Sequence, residues 1–160
     1  MLGDIQIYDQ AAFGYPGDVQ YAVAASATTI KAGEPVLKSL GSAVAAPLAS
    51  NMPTAGTDFM AGIAASTSTN TAGAAGSVQV TKFQDGMSFL ISPNNAALWD
   101  TQAEYDALVG ARVLLDLTAG VYTILAADGA THGCVVLPLD ISKFPGKVRF
   151  AIRDAVNYLA

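Results

Sequence analysis

The chain has 160 residues and a formal net charge of -5 at neutral pH, and charged residues make up only 13% of it, against about 25% in an ordinary soluble domain. This length argues for one domain with room for an arm, large enough to bury about 70% of its unfolded surface without a disulfide or a metal. The acidic balance argues against direct nucleic-acid binding, which needs a basic footprint, and so sparse a charge suits a chain that buries surface against copies of itself.

Residues 1–18 read as an N-terminal arm, with Tyr8, Phe13 and Tyr15 and the turn Tyr15-Pro16-Gly17-Asp18, and 19–160 as a single β-rich domain. The arm lacks periodicity and is aromatic enough to order against a neighbour or against its own body. Met1-Leu2-Gly3-Asp4 places an acid where a secretion signal needs a basic stretch, so the expected site of synthesis is a cytoplasm. From Val19 to Ser26 apolar residues alternate, which predicts a strand. The turn Lys31-Ala32-Gly33-Glu34 then leads into a second strand at Pro35-Val36-Leu37.

Ala43–Asp58, with Pro47, Pro53 and Gly56, is expected to have little regular structure. Phe59–Ala65 is an apolar run suited to a buried strand, and Ser66–Ala75 reads as a polar loop without a packing face. Ser77–Phe83 alternates. Gln84-Asp85-Gly86 is a hairpin signal, because Asp-Gly tolerates positive φ, and Met87–Ile91 would complete that hairpin.

One short helix, at about 99–109, is predicted from Thr101-Gln102-Ala103-Glu104, a capping box in which hydroxyl and carboxylate satisfy orphan amides reciprocally. Tyr105, Leu108 and Val109 give it an apolar stripe, Trp99 is placed to staple its first turn, and Gly110 ends it. Strands follow at Arg112–Leu117, Val121–Leu125, Gly133–Leu137 and Lys147–Ile152, and Asp154–Ala160 is expected to form a short helical turn. About nine short strands with frequent turns make the fold mainly β: a small β-sandwich or barrel, or a β-tulip-like roll.

Residues with catalytic or metal-binding chemistry are few. His132 and Cys134 are the single histidine and cysteine. A structural zinc site needs about four ligands, so the expectation is a loop histidine beside a buried thiol. No third group orients a Cys-His pair, and no Gly-x-Ser-x-Gly elbow is present. Ala72-Gly73-Ala74-Ala75-Gly76 precedes a strand, whereas a dinucleotide fingerprint follows one. The turn from Lys31 to Val36 also occurs in swinging-arm carrier domains, but Lys82 lies before the Gln84-Asp85-Gly86 tip where a modified lysine would be needed. The sequence therefore predicts no enzyme, no cofactor, no metal and no membrane span. Lys143, Lys147, Arg149 and Arg153 gather near the C-terminus, either as a solvated strand edge or as a patch for an acidic partner.

Ile30-Lys31-Ala32-Gly33-Glu34-Pro35-Val36, then Phe59-Met60-Ala61-Gly62-Ile63-Ala64-Ala65, the Ser66–Gly76 loop and Ser77-Val78-Gln79-Val80 resemble the pattern of phage capsid decoration, or cement, proteins. The resemblance spans about residues 20 to 92 and is one of pattern. It implies a non-enzymatic virion protein on the outer capsid surface, made in the host cytoplasm. Such a protein would bind the major capsid protein as a homo-oligomer, a trimer first of all, and bridge capsid subunits. Tyr8, Phe13, Tyr15, Lys143, Lys147, Arg149 and Arg153 are the candidate contacts with capsid or sister subunits. Alternatives are a head-fibre, tail or minor capsid protein, or a carbohydrate-binding module using Trp99, Tyr105 and Tyr122.

Overall fold

A computed structural model describes residues 6–9, 17–39, 41–47, 53–54, 57–83, 87–118, 120–126 and 129–153. In chain order they form β1 (Gln6–Asp9), β2 (Asp18–Val23), β3 (Pro35–Ser39), β4 (Val44–Pro47), β5 (Asp58–Ala64), β6 (Gly76–Lys82) and β7 (Ser88–Ile91). A 3₁₀ turn (Ala96–Leu98) and α1 (Gln102–Leu108) follow, then β8 (Arg112–Thr118), β9 (Val121–Leu125), β10 (Cys134–Val136) and β11 (Val148–Ile152). The fold is mainly β with one short helix, as expected. The strands make a closed barrel, β2-β4-β3-β5-β6, and a six-stranded sheet, β1-β7-β11-β10-β8-β9.

The barrel explains much of the chain's unusual composition. Five strands enclose a narrow interior, narrower than the eight-stranded barrels that side chains just fill. It is packed with Val23, Ile30, Val36, Ala45, Ala61, Ala64, Val78 and Val80. Alanine and valine at these positions are a volume requirement. The larger core lies against one face of the six-stranded sheet and takes the bulky residues, among them Phe89, Ile91, Leu115, Tyr122, Ile124 and Phe150. Leu37 and Met60 are opposite one another on β3 and β5. They point out of the barrel and are buried in this second core, where each stabilises the joint by about 1.5–3 kcal/mol. A bulge between Val36 and Leu37 leaves Ala61 without a ladder partner, and strand alternation sends Met60 and Ala61 to opposite cores.

The helix forms where its caps predict. The Thr101 hydroxyl accepts from the Glu104 amide at 3.3 Å, and the Glu104 carboxylate accepts from the Thr101 amide at 3.2 Å. Trp99 packs edge-on against Tyr105 at 5.6 Å, and Gly110 leaves the helix at φ 88°. No helix among the described residues is long and apolar enough to cross a membrane.

Several expectations are corrected. Ala43–Asp58 contains a strand, β4, whose Ala45 fills the barrel while Val44 and Ala46 face outward. Alanine has weak strand propensity, so only closure of the barrel reveals it. β6 and β7 do not form a hairpin: β6 pairs with β2 and β5, and β7 with β1 and β11. The Asp-Gly signal reports local backbone tolerance and not which partner a strand takes; Gln84, Asp85 and Gly86 themselves lie outside the described residues. Part of the arm, Gln6–Asp9, orders against the chain's own body, one of the two expected alternatives, as an antiparallel strand on β7. The expected helical turn over 154–160 lies outside the described residues.

The Ser66–Ala75 loop does pack, against the expectation. Ser68 and Asn70 are buried at 6% and 3% exposure. The Ser68 hydroxyl accepts from the Ile30 amide at 2.9 Å and donates to Asn70 Oδ1 at 2.6 Å, while Asn70 Nδ2 donates to the Ser26 and Thr28 carbonyls, each at 3.0 Å. This latch ties the β2–β3 connection to the β5–β6 connection across one end of the barrel. Gly76 lies so close beneath it that a Cβ there would sit 2.2 Å from the Asn70 nitrogen. Asn70→Ala strands two carbonyls and a hydroxyl, and is expected to cost on the order of 3 kcal/mol in urea unfolding. An unchanged midpoint would show that the latch does not hold the barrel end.

Candidate functional site

The basic residues near the C-terminus are placed by the alternation of β11. Val148, Phe150 and Ile152 point into the core, which sends Lys147, Arg149 and Arg153 to the opposite face. There they hold the fold together. Arg149 donates from Nε to the Ser88 hydroxyl at 3.1 Å and from Nη1 to the Pro138 carbonyl at 3.3 Å. Arg153 donates to the carbonyls of His132 at 2.7 Å and Ala130 at 3.1 Å. Lys147 Nζ reaches the Ser92 hydroxyl at 3.3 Å. Lys143, in the turn before β11, pairs with Asp140 at 3.4 Å with its side chain 73% exposed, an arrangement that contributes little stability. The Ser142 hydroxyl, and then Lys143, hold the Asp140 carboxyl below the usual range. Of the aromatic arm candidates, Tyr8 lies on β1 with only its backbone described, and Phe13 and Tyr15 lie outside the described residues.

Tyr105, read from the sequence as helix packing or as a sugar-stacking aromatic, proves central to the packing of the helix on the sheet. The Tyr105 hydroxyl accepts from the Arg149 amide at 2.9 Å and donates to the Leu137 carbonyl at 2.9 Å. The complementary bond, from the Leu137 amide to the Arg149 carbonyl, is direct at 2.9 Å. One phenol is thus spliced into the β10–β11 ladder where a backbone bond would otherwise close, and it fixes α1 against the sheet. Nothing local in the sequence marks this, because the partners lie 32 and 44 residues away.

The possible sugar-stacking aromatics are all interior: Trp99, Tyr105 and Tyr122 are 3%, 0% and 1% exposed. None offers a platform to a sugar ring. Trp99 Nε1 is buried without a hydrogen-bond partner, beside a pocket of about 180 Å³ lined by Pro93, Trp99, Ile141 and Pro145. A wider depression of about 560 Å³ lies along Gln102, Asp106, Pro138, Leu139 and Asp140. The Gln102 amide there is fully used, donating to Asp106 and the Leu139 carbonyl and accepting from the Ile141 amide.

His132 and Cys134 take separate roles. The histidine Nδ1 donates to the Arg112 carbonyl at 3.1 Å, and its ring packs against Gly129. Cys134 is a free thiol in the sheet core, and burial pushes its pKa far up. Among the described residues, no three His, Cys, Asp or Glu side chains gather where they could hold a metal ion.

The other coherent surface is the outer wall of the barrel over β4, β2 and β6. Ladder partners share a face, which places Gln20 beside Gln79, Ala22 beside Ser77 and Val44, and Asp18 beside Thr81. Among the described residues this wall carries little charge, and Asp18 accepts a 2.7 Å bond from the Thr81 hydroxyl. Such a surface can be covered without desolvating many ions.

Comparisons of the chain with protein families, with curated proteins and with solved structures found no match.

Burial, first of all, raises the pKa values of the Tyr105 and Tyr122 phenols; the Glu34 carboxylate adds to the effect at Tyr122. A phenol raised in the folded state contributes stability that is complete below its unfolded value of about 10 and is lost as pH rises through the folded value. Spectrophotometric titration should therefore show two tyrosines ionising only as the protein unfolds in alkali; normal titration of all six tyrosines would contradict this burial. Tyr105→Phe should cost about 1–3 kcal/mol and speed hydrogen exchange at the Arg149 amide. Cys134 should resist thiol reagents at neutral pH until denaturant is added.

Proposed function

We propose that this chain is a structural subunit of a phage virion that binds the outer surface of the assembled capsid and stabilises it by bridging capsid subunits, acting by contact and not by turnover. The observation that carries the reading is where the residues of the resemblance fall. Ile30–Val36 and the continuous run Phe59–Ala65, Ser66–Gly76 and Ser77–Val80 both lie on the barrel. They supply its interior, its bulged strand and its latch. The segments that carry the resemblance thus belong to one physical unit, the barrel and its latch.

The surface chemistry supports the same reading. A low-charge wall with exposed alanines and amides suits flush packing on other subunits, and many copies on a lattice convert modest contacts into firm retention. Mixing the protein with expanded capsids should give co-sedimentation that saturates at a fixed ratio to the major capsid protein. Pelleting no greater than in the absence of capsids would defeat the proposal.

A further inference from the structure

We infer that the pocket beside Trp99 binds a compact neutral molecule made of an apolar ring or short chain and one carbonyl oxygen, which accepts a hydrogen bond from Trp99 Nε1. Such a site goes beyond capsid binding and does not depend on it.

Three segments build the pocket. Pro93 follows β7, Ala96 and Trp99 open and cap the 3₁₀ turn, and Ile141 and Pro145 come from the turn before β11. Each segment is held by hydrogen bonds. The Asn94 amide donates to the Ile124 carbonyl at 3.0 Å, and the Ile124 amide to the Ser92 carbonyl at 3.1 Å. The Asn95 side chain accepts from the Ala97 amide at 3.2 Å, and the Lys147 amide donates to the Phe144 carbonyl at 3.2 Å. Two prolines stiffen the walls further, since each fixes its own φ. The space is preformed, as small-molecule sites commonly are.

The chemistry of the walls names the missing partner. Pro93, Ala96, Ile141 and Pro145 are apolar, and the indole completes them. Trp99 is 3% exposed, and its Nε1 is buried with no hydrogen-bond partner among the described residues. A buried donor left unpaired is costly and uncommon in native interiors. The indole nitrogen can only donate, so what relieves it must be an acceptor seated against the ring.

Size and charge narrow the class. The pocket's volume of about 180 Å³ exceeds that of a roughly 150 Å³ cavity known to hold benzene, so a six-membered ring fits. Asp100 stands at the rim, and Glu104, Asp106 and Asp140 are also exposed around α1. That field opposes a carboxylate or a phosphate as the acceptor. The apolar walls would strip a cation of its water and return nothing for it. A neutral carbonyl oxygen on a small apolar body meets every condition.

Trp99 is the single tryptophan, so its indole N–H gives one NMR signal that reports on this pocket alone. Titrating the full chain with cyclohexanone should move that signal downfield to saturation, with a Kd on the order of millimolar. Ala96→Leu fills the pocket from an exposed position and should abolish the movement while the rest of the spectrum stays that of the folded chain. Trp99→Phe keeps a ring but removes the donor. Saturation-transfer NMR should show it binding cyclohexanone about tenfold more weakly, as loss of one hydrogen bond predicts. An indole signal that does not move to saturation, movement that persists in Ala96→Leu, or wild-type affinity in a folded Trp99→Phe would each overturn the inference. Where Trp99→Phe does not fold, Ala96→Leu decides alone.

Discussion

Two strands, β3 and β5, are buried on both faces, and the rest of the architecture is arranged around that requirement. An ordinary half-buried strand alternates apolar and polar residues, but these must satisfy a narrow barrel on one side and a broad sheet core on the other. Val36 and Ala61 meet the first demand, Leu37 and Met60 the second. The β-bulge skips Ala61 and sets Gly62 opposite Val36. Gly62 follows at φ 151°, where a Cβ would lie 2.0 Å from the Thr81 carbonyl oxygen. The phrase Met60-Ala61-Gly62 is thus a graded series of side-chain sizes: large toward the sheet, small toward the barrel, none against the neighbouring backbone.

How much of this the sequence reveals depends on the range of the interaction. The helix is legible because Thr101 and Glu104 cap each other within a single turn. β11 is legible because Val148, Phe150 and Ile152 alternate without interruption. β4 is hidden because Ala45 and Ala46 have little intrinsic preference for a strand and acquire one only when the barrel closes. Ser68 and Asn70 look like solvated loop residues because their partners, Ser26, Thr28 and Ile30, are about forty positions earlier. The basic residues are visible as a cluster, and their period of two puts Lys147, Arg149 and Arg153 on one face. That Arg149 and Arg153 are committed to carbonyls and a hydroxyl of their own chain follows only from the tertiary fold.

The polar groups divide into two populations. Those with demanding geometry, such as the Asn70 amide, the Tyr105 hydroxyl and the Arg149 guanidinium, are turned inward onto backbone and hold connections and elements together. Those left outside on the barrel are amides, hydroxyls and methyl groups with little net field. A protein organised in this way uses its directional interactions within its own chain. Among the described residues, the exposed acids Asp100, Glu104, Asp106 and Asp140 lie around α1.

The order of the strands along the chain has a consequence for synthesis. Every strand of the barrel lies within residues 18–82, so a nascent chain holds the complete set before β7 is made. The six-stranded sheet is the opposite case: β11, which follows all the others, sits between β7 and β10. Until 148–152 have left the ribosome the sheet lacks the strand between β7 and β10, and the core that covers Leu37 and Met60 is incomplete. This strand order lets the barrel close before the sheet is complete, with Leu37 and Met60 covered as the sheet core assembles.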